Sequence, residues 1–164
     1  LSKDVLFIGS YEKERANVIH FLAENGVLIT IYGSGWEAFP IHKNINNANR
    51  PTFGSEYPEE VAKSKIILSF FRKISKDVNT SRIFEIPAMG GFLLSEYSDF
   101  AARYLEEGKE VEFFRNKKEC LEKIQYYLNH FEQSQIIRNN GYEKCIGNHS
   151  HKARMQYVIN QIFN

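Results

Sequence analysis

The feature that most constrains this chain is the alternation of short apolar runs with stretches of helical spacing. Asp4–Ile8 (DVLFI) is a compact apolar run that ends at Gly9-Ser10. From Tyr11 to Asn25, positions Ala16, Ile19, His20, Leu22 and Ala23 recur at helical intervals, and Gly26 supplies a stop. Val27–Tyr32 (VLITIY) is β-branched and apolar, closed by Gly33-Ser34-Gly35. This unit predicts parallel neighbours joined by a right-handed crossover. Lys65–Phe70, Phe92–Ser95 and Val111–Phe114 read as further strands. Helices are expected over Pro58–Ala62, Arg82–Met89, Ser98–Leu105, Lys117–Asn129, Phe131–Lys144 and His149–Phe163. Trp36 to Ser55, rich in Asn, Pro and Gly, is the least regular stretch, and its candidate strand lies near Pro51–Phe53. Strands apolar on both faces and separated by helices specify a parallel sheet covered on both sides. The expectation is one doubly wound α/β domain over residues 1–164, with a helical C-terminal end.

Charge excludes some partners. A formal net charge of +1 and a pI near 7.9 give no reason to expect nucleic acid or an anionic membrane as the main partner. An anion site must therefore be local. No apolar run approaches the roughly 20 residues of a membrane-spanning helix, and the first residues do not read as a secretory signal. Leu1 in place of Met suggests a trimmed chain. Cys120 and Cys145 fall in expected helices without metal-ligand spacing, so they read as reduced thiols of a cytoplasmic chain. His149-Ser150-His151 alternates its imidazoles in a polar segment and is not read as a metal site. Phe113, Phe114, Tyr126, Tyr127 and Phe131 are expected in the core or between helices. Trp36 either lines a cleft or packs, and His20 and His130 are given no function.

In open parallel sheets, ligands bind beyond the carboxyl ends of the strands. Two loops here are equipped for that. Gly9 and Ser10 precede a helix carrying Arg15 about a turn in. Gly9 would allow close approach of a phosphate, and Arg15 would add a forked cation at the helix N-terminus. Alone, Arg15 among Glu12, Lys13 and Glu14 reads first as part of a solvated helix face.

The second loop is better furnished. Arg72 and Lys73 follow the central strand, then Lys76-Asp77-Val78-Asn79-Thr80-Ser81, and then the helix beginning at Arg82. Thr80 and Ser81 offer hydroxyls, and the amides after them would be open to a diphosphate. Arg82 and Glu85 stand one turn apart and reach the same rim. A carboxylate such as Glu85 accepts two hydrogen bonds from a ribose diol, while Arg72 and Arg82 neutralise phosphate. The plainer reading is an exposed Arg82–Glu85 pair. Pro87 followed by Gly90-Gly91 is poor helix design unless close packing or a ligand dictates it.

The stretch Ser64–Tyr97 (SKIILSFFRKISKDVNTSRIFEIPAMGGFLLSEY) resembles the central motif of the C-terminal domain of group-1 glycosyltransferases, nearest to the variant of CgeB-like spore-maturation proteins. Val5–Arg15, Ile31–Trp36, Gly108–Arg115, Leu121–Asn129 and a closing segment from Gly141, with His149 and Arg154, are similar in the same order. The resemblance implies the Rossmann-like, sugar-nucleotide-binding half of a GT-B enzyme, with the acceptor bound by a separate N-terminal domain. It places Glu85 on the donor ribose, Arg15 on phosphate, and Arg72 to Ser81, with Lys76 and Asn79, along nucleotide and sugar. Asp77 stands where such enzymes often carry a further acid, as a shorter side chain of candidate catalytic role. No clear match to the Lys that often joins the phosphate-binding Arg is seen, and Lys73 or Lys76 could substitute. The implied reaction is sugar transfer, of the hexosyltransferase kind, from a nucleoside-diphosphate donor in cell-surface polysaccharide or glycoconjugate synthesis. The leaving diphosphate is held by helix N-termini and arginines, with no cofactor and no metal. Such a half alone is expected to bind donor without transferring sugar.

Other readings are a noncatalytic nucleotide- or sugar-binding module, or an enzyme resembling sugar-nucleotide epimerases. A nicotinamide-binding domain is disfavoured because Gly9-Ser10-Tyr11-Glu12-Lys13-Glu14 lacks G-x-G-x-x-G, and a receiver-like regulator because no acidic cluster follows the first strand.

Overall fold

The computed structural model describes residues 2–40, 42–72, 80–149 and 151–163. Its strands are β1 (Lys3–Ile8), β2 (Ile29–Tyr32), β3 (Ile45–Asn47), β4 (Ser64–Ser69), β5 (Leu93–Glu96) and β6 (Glu112–Phe114). They form one parallel sheet in the order β3-β2-β1-β4-β5-β6. Between and after them lie α1 (Lys13–Glu24), α2 (Glu56–Ala62), α3 (Arg82–Ala88), α4 (Asp99–Ala102), α5 (Lys117–Asn129), α6 (Phe131–His149) and α7 (His151–Phe163).

Alternating strand residues feed two cores, as the period-2 geometry of a strand requires. Val5, Phe7, Ile66 and Leu68 pack with Ile19 and Leu22 of α1 and with Cys120 and Ile124 of α5. Leu6, Ile8 and Ile67 face the other way, against Val61 of α2, Ile83 and Ile86 of α3, and Ala101 of α4. The sheet is thus covered on both faces, which is the expected doubly wound, Rossmann-like arrangement. The order reverses at β1: the first crossover leads to β2, whereas α2 carries the chain back to β4 on the other side. Loops leaving β1 and β4 therefore part above the middle of the sheet, and the cleft opens there.

Several boundaries differ from expectation. The third strand is Ile45–Asn47, paired with β2 from Ile29↔Ile45 to Ile31↔Asn47, and not the segment near Pro51–Phe53. Only Ile45 of its residues is fully buried, so this edge strand carries almost no apolar signal. Strand β2 starts at Ile29 because Gly26 (φ 88°) closes α1 and Val27 N–H returns to Leu22 O at 3.1 Å. Helix α4 is shorter than expected, capped by Ser98 Oγ accepting from Ala101 N at 3.1 Å.

Helix α6 runs straight through Gly141, and close packing explains why. A Cβ there would lie 2.4 Å from Glu110 O and 3.3 Å from Pro87 Cβ. A Cβ on Gly91 would lie 2.7 Å from Val61 Cγ1, and Gly90 takes the left-handed φ of 70° that ends α3. The Pro87 to Gly91 stretch thus answers to helix packing and not to a ligand. Phe113, Phe114 and Tyr127 are buried as expected, whereas Tyr126 and Phe131 remain partly exposed at the junction of α5 and α6. Tyr126 stacks on His130 with ring centroids 4.2 Å apart. Among the described residues, no helix is long and apolar enough to cross a membrane.

Candidate functional site

The loop after β1 is fastened before it reaches any ligand. Gly9 N–H donates to Tyr32 O at 2.8 Å, and Tyr11 N–H to Ser34 O at 2.9 Å. Trp36, fully buried, donates its indole N–H to Gly9 O at 2.8 Å and packs edge-on against Phe7 at 5.9 Å. Of its two expected roles, Trp36 therefore has the packing one. Gly33 must be glycine, because a Cβ there would sit 1.9 Å from Gly9 O. Gly9 is small for a related reason: a Cβ would meet Phe7 Cζ at 2.7 Å and Arg15 Nη1 at 3.2 Å. The space a side chain at position 9 would need is filled by Phe7 and Arg15.

Those side chains set Arg15. Far from lying on a solvated face, it is only 4% exposed. Its guanidinium lies over the Phe7 ring at 5.7 Å, donates to Ser10 O at 3.1 Å and pairs with Glu12 at 2.9 Å. Its Nε is buried without a hydrogen-bond partner among the described residues. Burial lowers the Arg15 pKa, Glu12 opposes this, and Arg72 and Arg82 lower it further by repulsion. Three guanidiniums therefore stand within electrostatic reach of one another.

They surround a cavity of about 470 Å³ at the carboxyl edge of β1 and β4. Ile8 and Phe70 line it, Arg15 and Arg72 supply charge, and Thr80, Ser81, Arg82 and Glu85 come from the start of α3. The backbone of Phe71, next to Arg72, is held by Glu96, which accepts from Phe71 N–H at 3.1 Å. Of the residues singled out in the sequence, Arg15, Arg72, Thr80, Ser81, Arg82 and Glu85 are brought together here. Gly9 and Ser10 do not line the cavity: Gly9 is buried behind Arg15, and the exposed Ser10 lies 3.3 Å from Ser34, hydroxyl to hydroxyl. Lys76, Asp77 and Asn79, with Lys73, lie outside the described residues. Arg15 also borders a smaller cavity of about 190 Å³ between α1 and the N-terminus of α5.

The amides at the head of α3 are fewer than expected. Ile83 N–H donates to Thr80 O at 3.2 Å, and the Phe84 and Glu85 N–H groups both donate to Ser81 O at 3.0 Å. That leaves Ser81 N–H, which donates to nothing among the described residues, and Arg82 N–H, with a long 3.5 Å contact to Thr80 Oγ1. Among the described residues no ion pair joins Arg82 to Glu85, so the exposed-pair reading of those two does not hold; both face the cavity.

Sequence reasoning missed one wall altogether. Thr52, Phe53, Gly54 and Tyr57 close the cavity on the side of β3 and α2. Tyr57 sits beside Arg82 and Glu85, with its hydroxyl buried. Burial raises its pKa, with Arg82 opposing. A readable signal existed in the Gly-flanked aromatics after the Asn-rich stretch, but it could not be placed without β3. Among the described residues the cavity thus offers three cations against one carboxylate, a buried Arg15 Nε with unmet hydrogen-bonding capacity, and an aromatic lip.

A family model described as glycosyl transferase-like matches residues 14–160. No curated protein sequence matches the chain. Among solved structures, a variant of TarM from S. aureus in complex with fondaparinux, α-GlcNAc-glycerol and UDP is similar, with a TM-score of 0.74 at 13% identity. That likeness covers 99% of this chain and 36% of TarM. HepE from Anabaena in complex with UDP-glucose also reaches 0.74, at 11% identity over 96% of this chain and 48% of its own. The C-terminal domain of the group 1 glycosyl transferase LpcC from Francisella tularensis reaches 0.68 at 9% identity, over 90% of this chain and 86% of that domain. At these identities the likeness is one of fold, and the chain spans about a third to a half of the longer relatives. The family model, which takes in most of the chain, goes further: the chain belongs to the glycosyl transferase-like family.

Proposed function

We propose that this chain is the donor-binding half of a glycosyltransferase, taking a nucleoside-diphosphate sugar in the cavity between β1 and β4. The observation that carries this reading is the convergence of Arg15, Arg72 and Arg82 on one cavity whose lining, among the described residues, holds a single carboxylate, Glu85. A diphosphate relieves the mutual repulsion of the three cations, and Ser81 N–H, which donates to nothing among the described residues, stands in the lining to receive it. Thr80 and Ser81 add hydroxyls, and Glu85 accepts from the ribose diol.

In this reading the bond between the sugar's anomeric carbon and the β-phosphate oxygen breaks as an acceptor oxygen attacks. The arginines take up the charge that grows on the leaving diphosphate, without a metal or cofactor. The acceptor, and the base that receives its proton, belong to a separate N-terminal domain, and residues 1–164 then form one donor domain that binds without transferring sugar. The UDP and UDP-glucose held by TarM and HepE support this choice of ligand. We place the chain in the cytoplasm, in the synthesis of cell-surface polysaccharide or glycoconjugates, nearest the CgeB-like members of the group. Calorimetric titration with UDP, GDP, ADP and their sugar conjugates, repeated with EDTA, tests it. Binding by none of them at millimolar concentration, in a folded sample, sinks the reading; binding abolished by EDTA removes its metal-free form.

A further inference from the structure

Phe53 is the most exposed large apolar side chain of the described residues, at 75%, and it stands on the lip of the arginine-lined cavity. Its ring makes no aromatic or cation contact among the described residues, yet the segment that carries it is firmly held. Arg50 O accepts from Gly33 N–H at 2.9 Å, which ties the start of the segment to the end of β2. The Arg50 guanidinium forks onto Glu56, one arm at 2.8 Å, and lies over the Tyr32 ring at 5.4 Å. Thr52, itself buried, donates its hydroxyl to Glu56 at 3.0 Å. Gly54, at φ 58°, turns the chain back into α2. A loop fixed at both ends therefore presents one solvent-facing aromatic ring beside a cationic hollow.

We propose that Phe53 is the platform on which the base of the bound nucleotide stacks, an inference that rests on the donor-binding reading above. The one cavity brings together what such a ligand needs: an exposed aromatic ring in Phe53, a carboxylate for a ribose in Glu85, and Arg15, Arg72 and Arg82 for the diphosphate. A volume of about 470 Å³ admits all three parts. Stacking on an aromatic face tolerates any base, because every base has a π-face. Phe53 therefore contributes affinity for purine and pyrimidine nucleotides alike, and none for the phosphates alone.

The test is titration of the chain and of Phe53→Ala with UDP, GDP, ADP and inorganic pyrophosphate. The expected result is a loss of about tenfold in affinity for each nucleotide, with pyrophosphate affinity unchanged. The ring is exposed, so the variant retains the fold, which its unfolding midpoint checks. Phe53→Trp keeps nucleotide affinity and adds an exposed indole to a chain whose sole tryptophan, Trp36, is fully buried, so its emission is quenched by nucleotide and not by pyrophosphate. Wild-type binding of nucleotides with equal affinity in Phe53→Ala, or no quenching in Phe53→Trp, overturns the stacking role and leaves the donor site standing. Failure of the wild type to bind nucleotide or pyrophosphate removes the donor site itself, and the platform with it.

Discussion

The indole N–H of Trp36 and the carbonyl oxygen of Gly9 are joined at 2.8 Å across the carboxyl edge of the sheet, inside the core. This bond ties the loop after β2 to the loop that leads into Arg15. Trp36→Phe keeps most of the ring packing but leaves the buried Gly9 carbonyl without its donor. The expected cost is about 1–3 kcal/mol of stability, read by urea unfolding. Nucleotide affinity falls with it, because Gly9 backs directly onto Arg15. A variant as stable as the wild type would show that the bond is dispensable.

Two glycines in one helix predict opposite signs. In α6, a Cβ on Gly141 would sit 2.4 Å from Glu110 O, while one on Gly147 would meet nothing within 4 Å. Helix propensity favours alanine over glycine by about 1 kcal/mol at either place. Gly147→Ala is therefore stabilising by up to about that amount. Gly141→Ala pushes α6 off the turn at Glu110, and with it off Pro87 of α3, and costs about 1–3 kcal/mol, as overpacked sites do. Thermal unfolding of the pair decides the matter, and equal shifts of the same sign would contradict the packing described for Pro87 and Gly141.

Arg15 and Glu85 separate binding from folding. Glu85 is exposed, so Glu85→Ala weakens nucleotide binding about tenfold or more with stability unchanged to within about 0.5 kcal/mol. Arg15 is buried against Phe7 and paired with Glu12, so Arg15→Ala loses both nucleotide affinity and stability. Calorimetry and unfolding on the same preparations check this. Unchanged affinity in Glu85→Ala would take Glu85 out of the site.

Glu56 should titrate far below other carboxylates. The hydrogen-bonded Arg50 guanidinium holds its pKa at about 2, against an ordinary 4.5, with Thr52 helping. A carboxylate depressed on folding contributes its stabilisation above the unfolded pKa and loses it as pH falls through the folded one. The brace on the Phe53 loop is thus intact above about pH 4.5 and released as the pH approaches 2. Carboxyl NMR titration should place the Glu56 midpoint there, and Arg50→Ala should return it to the ordinary range.

How much of this was legible depends on what each residue answers to. Strands β1 and β4 announce themselves because the middle of a parallel sheet is apolar on both faces, and Val5–Ile8 and Ile66–Ser69 are buried without a break. Ile45-Asn46-Asn47 escapes because an edge strand needs one buried residue and its asparagines serve the loops: Asn47 Nδ2 donates to Trp36 O at 3.3 Å. Missing β3 hid the cavity wall that follows it, Thr52 to Tyr57. Thr80 to Glu85 was readable since the hydroxyls immediately precede one helix and the arginine and the carboxylate sit within its first turn. The burial of Arg15 was not readable, for it is set by Phe7 and Gly9 beneath it, a relation of three dimensions that charge counting along Glu12–Arg15 misses. Pro87 and Gly91 stand out in the sequence, but their reasons lie far along the chain: Gly141 of α6 packs on Pro87, and Val61 and Ile67 leave no room for a Cβ at Gly91.

The fastening of Arg50 to Gly33 and Glu56 has an evolutionary corollary. Because the loop's shape is secured by its flanks, Phe53 at its tip contributes nothing to the hydrophobic interior. Replacing it alters what the cavity's lip touches without unsettling the sheet. The tip is thus a site where descendants of this chain can acquire a different ligand preference by single substitutions, at almost no risk to their ability to fold.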